Sequence, residues 1–192
     1  TLEAVRTAAG SDERLECLRG LTVLHERRRD PRRARRSAER MRSLALSAGD
    51  DPAYALAAEL LAFAAWAAGD GRRAKESAAE ARAIVEAGRA GPRGPYALVR
   101  LARLAEEWDD AAQAERGYAE GLEGLRNSED RTWLAAALVM AADFETARGR
   151  PEAAFPMLRE AIAIHRLTDD RVGLATGLRG LGLAHEAAGE FD

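Results

Sequence analysis

One stretch of nine residues occurs twice in this chain. Asp30-Pro31-Arg32-Arg33-Ala34-Arg35-Arg36-Ser37-Ala38 returns as Asp70-Gly71-Arg72-Arg73-Ala74-Lys75-Glu76-Ser77-Ala78, keeping the aspartate, two arginines, both alanines and the serine. The second copy stands forty positions on, and the same offset, carried along without a gap, places alanine at 34, 74, 114 and 154. The far ends agree: Leu18-Arg19-Gly20-Leu21 followed by His25-Glu26 matches Leu178-Arg179-Gly180-Leu181 followed by His185-Glu186, four periods away. A fixed period of roughly 20 to 50 residues marks a stacked-repeat protein, in which each unit buries its apolar face only against its neighbours.

Composition decides what the repeat is made of. Hydrophobic residues form 47% of the 192 residues but aromatics only 5%, and alanine and leucine dominate, which suits close-packed helices and not sheets. The expected fold is therefore all-α, a right-handed α-solenoid of antiparallel helix pairs with about ten helices, partial ones included. A net charge of −3 gives no reason to expect a nucleic-acid partner. Lys75 is the only lysine, and a chain this rich in Ala, Arg and Gly suggests a GC-rich, actinobacterial genome. The lone Cys17 cannot form an internal disulfide and fits a reducing, cytoplasmic setting. The longest apolar run, Ala53 to Ala68, is interrupted by Glu59 and reads as a buried helix, with no membrane association expected.

In chain order, residues 1–10 take the phase of a repeat's second helix and end at Gly10. Full units follow at 11–50, 51–90, 91–130 and 131–170, and 171–192 holds the first helix of a fifth; together they form one array, 1–192. Ser11 or Asp12 is expected to cap the first helix of the first unit, and the second unit to start at Asp50 or Asp51 with Pro52 in the first turn. Gly91-Pro92-Arg93-Gly94-Pro95 delays the first helix of the third unit to about Pro95 and is the hinge candidate. Pro156 is expected to loosen its helix slightly. Neither end shows a polar capping helix, so the chain reads as a fragment of a longer protein whose cut ends offer faces for dimerisation.

Within a unit the columns run large apolar, Leu, small, aromatic-like, turn Gly, then Ala, large, Ala, as in Leu178, Leu181, Gly182, His185 and Gly189, and in Ala154, Leu158 and Ala161. This resembles the tetratricopeptide repeat over the whole chain, although that family's usual period is about 34 residues and its aromatic column here holds Ala65, Ala105 and Glu145. Repeats of this longer kind are similar to those in the arms of large bacterial signal-transduction ATPases and transcriptional regulators, actinobacterial ones included. The resemblance implies a concave face lined by the first helix of each pair. Its columns place Arg19, Glu59, Val99, Val139 and Arg179 on one line and Val23, Phe63, Arg103, Asp143 and Leu183 on the next, with Trp66 and Tyr96 alongside. A groove apolar in its middle and charged toward its ends suits a protein or peptide segment, or another domain of the same parent protein. The family's clamp for a C-terminal carboxylate needs Lys, Arg and Asn at such columns, which hold Val, Glu, Phe and Asp here, so a chaperone-adaptor role is not implied.

Other chemistry is sparse. The cluster from Arg27 to Arg36, with Arg28, Arg29, Arg32, Arg33 and Arg36 as its basic patch, offers a site for phosphate or an acidic partner; with no aromatic interleaved to stack bases, a solvated turn is the preferred reading. His25 and His185 share a column four units apart and are expected between helices, while His165 stands alone. No metal-ligand spacing, Gly-rich phosphate loop or Ser-His-Asp order appears, so no catalytic residues, metal or cofactor are expected. The reading is a non-catalytic binding scaffold, the sensor or interaction arm of a larger regulator, with nucleic-acid or phosphorylated-partner binding through the Arg27 to Arg36 cluster, or a structural spacer between flanking domains, as alternatives.

Overall fold

The computed structural model describes residues 10–190 and divides the chain into two compact units, Thr1–Ala97 and Leu98–Asp192. Among the described residues it holds nine α-helices, one short 3-10 segment and no strand. The helices are α1 (Ser11–Arg27), α2 (Pro31–Ala48), α3 (Asp51–Ala67), α4 (Gly71–Glu86), α5 (Gly94–Glu107), α6 (Ala111–Arg126), α7 (Arg131–Ala147), α8 (Pro151–Leu167) and α9 (Arg171–Ala187), with the 3-10 segment at Gly91–Arg93 between α4 and α5. The helix expected over Thr1 to Ala9 lies outside the described residues, as do Phe191 and Asp192.

Every connection is a few residues long, so successive helices run antiparallel. In the first unit α1 packs on α2, α2 on α3 and α3 on α4, and α1 also touches α3; in the second α6 packs on α7, α7 on α8 and α8 on α9, and α9 also touches α7. Within each unit these helices meet the next in sequence, and the first helices of two successive pairs touch, α1 with α3 and α7 with α9.

The turns explain the spacing. Helices start at 11, 31, 51, 71, 111, 131, 151 and 171, keeping one interval that is half the sequence repeat, and at 91 the 3-10 segment begins instead. Most of these starts are set by an aspartate. The carboxylates of Asp30, Asp50, Asp70, Asp110, Asp130 and Asp170 accept the backbone N–H groups of Arg33, Ala53, Arg73, Gln113, Trp133 and Gly173 at 2.9–3.1 Å. Each satisfies one of the donors that a helix N-terminus leaves open. Most of these aspartates also close the helix before them: the N–H groups of Asp30, Asp50, Asp70, Asp110 and Asp170 donate to the carbonyls of His25, Ala45, Ala65, Ala105 and His165, the long bond of a Schellman motif. The residue just ahead takes positive φ, as Gly49, Gly69 and Gly149 do, but also Arg29, Asp109 and Asp169.

Ser11 and Asp12 do not cap α1. The N-cap is Gly10, with no side-chain bond, and both residues lie inside the first turn, where a carboxylate interacts with the helix dipole instead. Asp50 caps α3, with Pro52 in the first turn. The third pair does begin late: the 3-10 segment takes up Gly91 to Arg93, and α5 is only 14 residues long. Pro156 lies within α8, which is assigned as helix without interruption from Pro151 to Leu167.

The alanine column is the closest packing in each unit. Ala34, Ala74, Ala114 and Ala154 are all 0% exposed, each in the first turn of the second helix of its pair, so a neighbouring helix lies directly over the methyl group. Larger side chains fill the spaces beside them, Leu18, Met41 and Leu61 in the first unit and Leu125, Leu138 and Leu158 in the second. Between α2, α3 and α4 a polar pin adds direction: Arg42 makes two hydrogen bonds to Glu80 at 2.8 and 3.0 Å, and Tyr54 donates to the same carboxylate at 3.1 Å.

Ala154→Leu is expected to overpack the second unit and lower stability by about 1–3 kcal/mol, read as an earlier midpoint in urea unfolding. Asp109→Gly removes a side chain from left-handed backbone and is expected to raise stability by roughly 0.5–1 kcal/mol, a Tm gain of a few degrees by calorimetry.

Candidate functional site

The predicted partner-binding residues fall into three groups by exposure. Val99 and Val139 are buried, at 0% and 5% exposed, and Glu59 is fully buried. These three fill space between helices and offer no surface to a partner. Column transfer placed them on the open face because it fixes a residue's position along a helix but not how closely the neighbouring helix covers it.

In the first unit, Glu59 on α3 lies 3.6 Å from Arg93 of the 3-10 segment, an ion pair that meets the buried carboxylate with a cation. The Arg93 guanidinium also stands 5.4 Å above the Tyr96 ring. Tyr96 is therefore part of the structure that pins the 91–95 stretch to α3. Phe63 and Trp66 are half-buried on α3, and Trp66 covers the start of α4, where a Cβ on Gly71 would come 3.7 Å from its ring. Arg19 is exposed on α1 and pairs with Glu16 at 2.6 Å.

In the second unit, Arg103, Asp143 and Arg179 come together with two residues that the sequence did not single out, Glu106 and Tyr118. Arg179 on α9 lies 3.5 Å from the Asp143 carboxylate on α7. A side chain on Gly180 would stand 2.8 Å from Leu158 and 3.4 Å from Asp143, so the small residue leaves this contact open beside the pair. Below it, the hydroxyl of the 4%-exposed Tyr118 on α6 donates a very short hydrogen bond to Glu106 on α5. The Tyr118 ring packs on Phe144, centroids 5.2 Å apart. Burial pushes the Glu106 carboxyl above its ordinary value, against the hydrogen bond from Tyr118 and the charge of Arg103, which pull it down; Glu107 and Asp143 push it further up. Burial, and then the Glu106 carboxylate beside it, raise the Tyr118 phenol far above the usual range. Arg103 and Arg179 keep exposed guanidinium groups over this half-buried acid–phenol pair. Its signal in the sequence was slight: Tyr118 is one aromatic on a helix otherwise of Ala, Gly, Leu and charged residues.

The basic patch lies at the α1–α2 turn and the start of α2, with Arg28, Arg29, Arg32, Arg33 and Arg36 all exposed. Arg33 stands 3.3 Å from Asp30, and neighbouring Arg35 is drawn toward Glu39 and Asp70. His25 and His185 are half-buried, and the His185 ring lies 4.6 Å from Phe155 while its Nδ1 meets Glu190. His165 does not stand alone. It is 4% exposed, with Nδ1 3.1 Å from the Asp170 carboxylate that caps α9. Gly173 makes this possible, since a Cβ there would fall 2.1 Å from the imidazole. The hydrogen bond from the Gly173 N–H, then the nearby imidazole, hold Asp170 below the usual carboxylate value against some desolvation. Among the described residues no group of three or more His, Cys, Asp or Glu is placed to hold a metal ion, and no helix is long and apolar enough to cross a membrane.

No protein-family model matches the sequence, and no curated protein matches it. Solved structures do. A Podosopora anserina kinesin light chain-like protein with nearly identical TPR-like repeats matches with a TM-score of 0.71 at 17% identity, over 96% of this chain and 90% of its own. A single-residue variant of it gives 0.72 at 18% identity, over 93% and 88%. The fold is therefore that of a TPR-like repeat array, as the repeat columns implied.

Glu106 supplies a pH test. With its folded pKa raised above the ordinary 4.5, the folded chain retains a proton that the unfolded chain has already released, so stability falls as pH rises from about 4.5 through the raised value. Glu106→Gln is expected to remove that slope from urea midpoints measured across the window. Tyr118→Phe, which deletes a donor favouring the carboxylate, should move the slope to higher pH.

Proposed function

We propose that the chain is a non-catalytic scaffold that captures a protein or peptide segment on the first helices of its pairs, as the sensor or interaction arm of a larger bacterial transcriptional or signalling regulator. One observation carries the reading. In the second unit Arg103, Asp143 and Arg179 come from the first helices of three successive pairs and stay at least partly exposed, while Val99 and Val139 of two of these helices are buried. Repeating elements of one geometry thus present fixed charges in a row, an arrangement that reads an extended segment by charge order. The TPR-like fold supports the interaction class, because the same helix pairs serve many proteins by changing surface residues alone. The regulator assignment rests on the likeness of this long-period repeat to regulator arms.

The surface is tested by selecting peptide binders from a displayed library against the chain, then measuring them by calorimetry with Arg103→Glu and Arg179→Glu combined. Affinity is expected to fall by at least about tenfold for binders of this surface. Selected binders that are all indifferent to both substitutions would remove this surface as the site. The parent assignment is tested by extending the reading frame past Thr1 and Asp192: a nucleotide-binding or DNA-binding domain supports a regulator arm, and only further repeats would overturn it.

A further inference from the structure

Residues 26–40 carry eight arginines against three acids in a chain whose net charge is −3, so the remainder is strongly acidic. Elsewhere many exposed arginines are matched, Arg72 by Glu76, Arg89 by Asp51, Arg126 by Glu160 and Arg150 by Glu115 and Glu145. At the α1–α2 turn the same rule divides the cluster. Asp30, Glu39 and Asp70 take up Arg33 and Arg35, while Arg27, Arg28, Arg29, Arg32, Arg36 and Arg40 are exposed and make no ion pair among the described residues.

Two features of this remnant lower the stability of the chain. Arg32, Arg36 and Arg40 follow each other at intervals of four along α2, which sets like charges side by side on one face. Arg29 holds φ of 53°, at the turn position given to glycine in Gly49, Gly69 and Gly149, and a long side chain in left-handed backbone is strained. The Arg29 and Asp30 N–H groups close the turn on the carbonyls of Glu26 and His25, and other turns place aspartate in the same backbone at Asp109 and Asp169, but among the described residues no acidic side chain pairs with these arginines to offset their mutual repulsion.

We propose that Arg28, Arg29, Arg32, Arg36 and Arg40 form a docking stripe for an extended acidic segment of a partner protein. Four residues of helix rise about 6 Å, close to the roughly 6.6 Å between alternate residues of an extended strand. Acidic side chains at every second position of such a segment therefore reach successive guanidinium groups, each of which offers a carboxylate two parallel donors. A polynucleotide is the poorer occupant. No aromatic residue lies between Glu26 and Arg40 to stack on a base, and the acidic remainder repels a duplex carrying a charge about every 1.7 Å. The stripe shares no residue with the surface proposed above.

The test is fluorescence anisotropy of a labelled alternating Glu-Ser peptide against the whole chain, with labelled duplex DNA as the rival probe, at low and at physiological salt. The peptide is expected to bind and to weaken with salt. Arg32→Glu, Arg36→Glu and Arg40→Glu together should lower its affinity by at least about tenfold with helical circular dichroism unchanged. Arg29→Gly should raise Tm and yet weaken the peptide, a split that a purely structural arginine does not give. The Arg103→Glu, Arg179→Glu variant should bind the peptide as the parent does. No peptide binding by the parent, equal affinity in the triple variant, tighter binding of duplex DNA than of peptide, or loss of the peptide in the Arg103 and Arg179 variant alone would each overturn the stripe.

Discussion

The aspartate at each turn is the interaction on which the rest of the array depends. Its backbone N–H closes the helix that is ending and its carboxylate opens the helix that is starting, so one residue fixes both boundaries. With the boundaries fixed at a constant interval, each helix begins at a set angular phase, and the apolar columns of neighbouring helices meet without adjustment. That is why Ala34, Ala74, Ala114 and Ala154 can all sit under a neighbouring helix with no exposed surface. A shift of one residue at any turn would turn the buried face of the following helix by about 100°.

Where the aspartate is missing, other contacts take over, and they carry more charge. Arg150 holds the turn position before α8 without capping it, and its guanidinium instead bridges Glu115 on α6 and Glu145 on α7. At Ala90 the helix start is replaced by the 3-10 segment, held by the buried Glu59–Arg93 pair and by Gly91 against Pro52. Removing Arg93 would leave the buried Glu59 carboxylate stranded, so this turn tolerates substitution less well than an aspartate cap does, whereas the solvent-exposed Arg150 pairs contribute little.

Much of this was legible in the sequence, for a physical reason. The long recurrence, the alanine column, the delayed third pair and the start of the second unit at Asp50 or Asp51 depend on local backbone chemistry, which residue type and spacing report directly. The half-period spacing of Asp30, Asp50, Asp70, Asp110, Asp130 and Asp170 was equally present but hidden under the longer one, because the two helices of a pair share their capping chemistry and not their faces. What the sequence did not disclose depends on distance between helices. Glu59 reads as a surface charge until Arg93 is seen beside it, Val99 and Val139 as groove residues until their burial is known, and His165 as solitary until Gly173 lets its ring approach Asp170. The Tyr118–Glu106 pair joins two helices through side chains whose separation along the chain matches no helical period.

An array held by short turns and small side chains presents its surface charges from fixed positions. At Gly180 α9 lies close enough to α7 and α8 that a methyl group there would meet Leu158 and Asp143, beside the Arg179–Asp143 pair. Side-chain ordering is one of the costs of capturing a partner, and charges already held by packed helices lose less freedom on binding than charges on mobile loops. The interior is built mainly of alanine and leucine, which specify packing and carry no recognition chemistry. If the array captures a partner as proposed, discrimination falls to the exposed charges, and in this chain those are almost all guanidinium and carboxylate groups. Arginine's planar fork makes each contact directional as well as attractive, so a scaffold of this composition selects by the order and spacing of charge along a segment more than by its apolar shape.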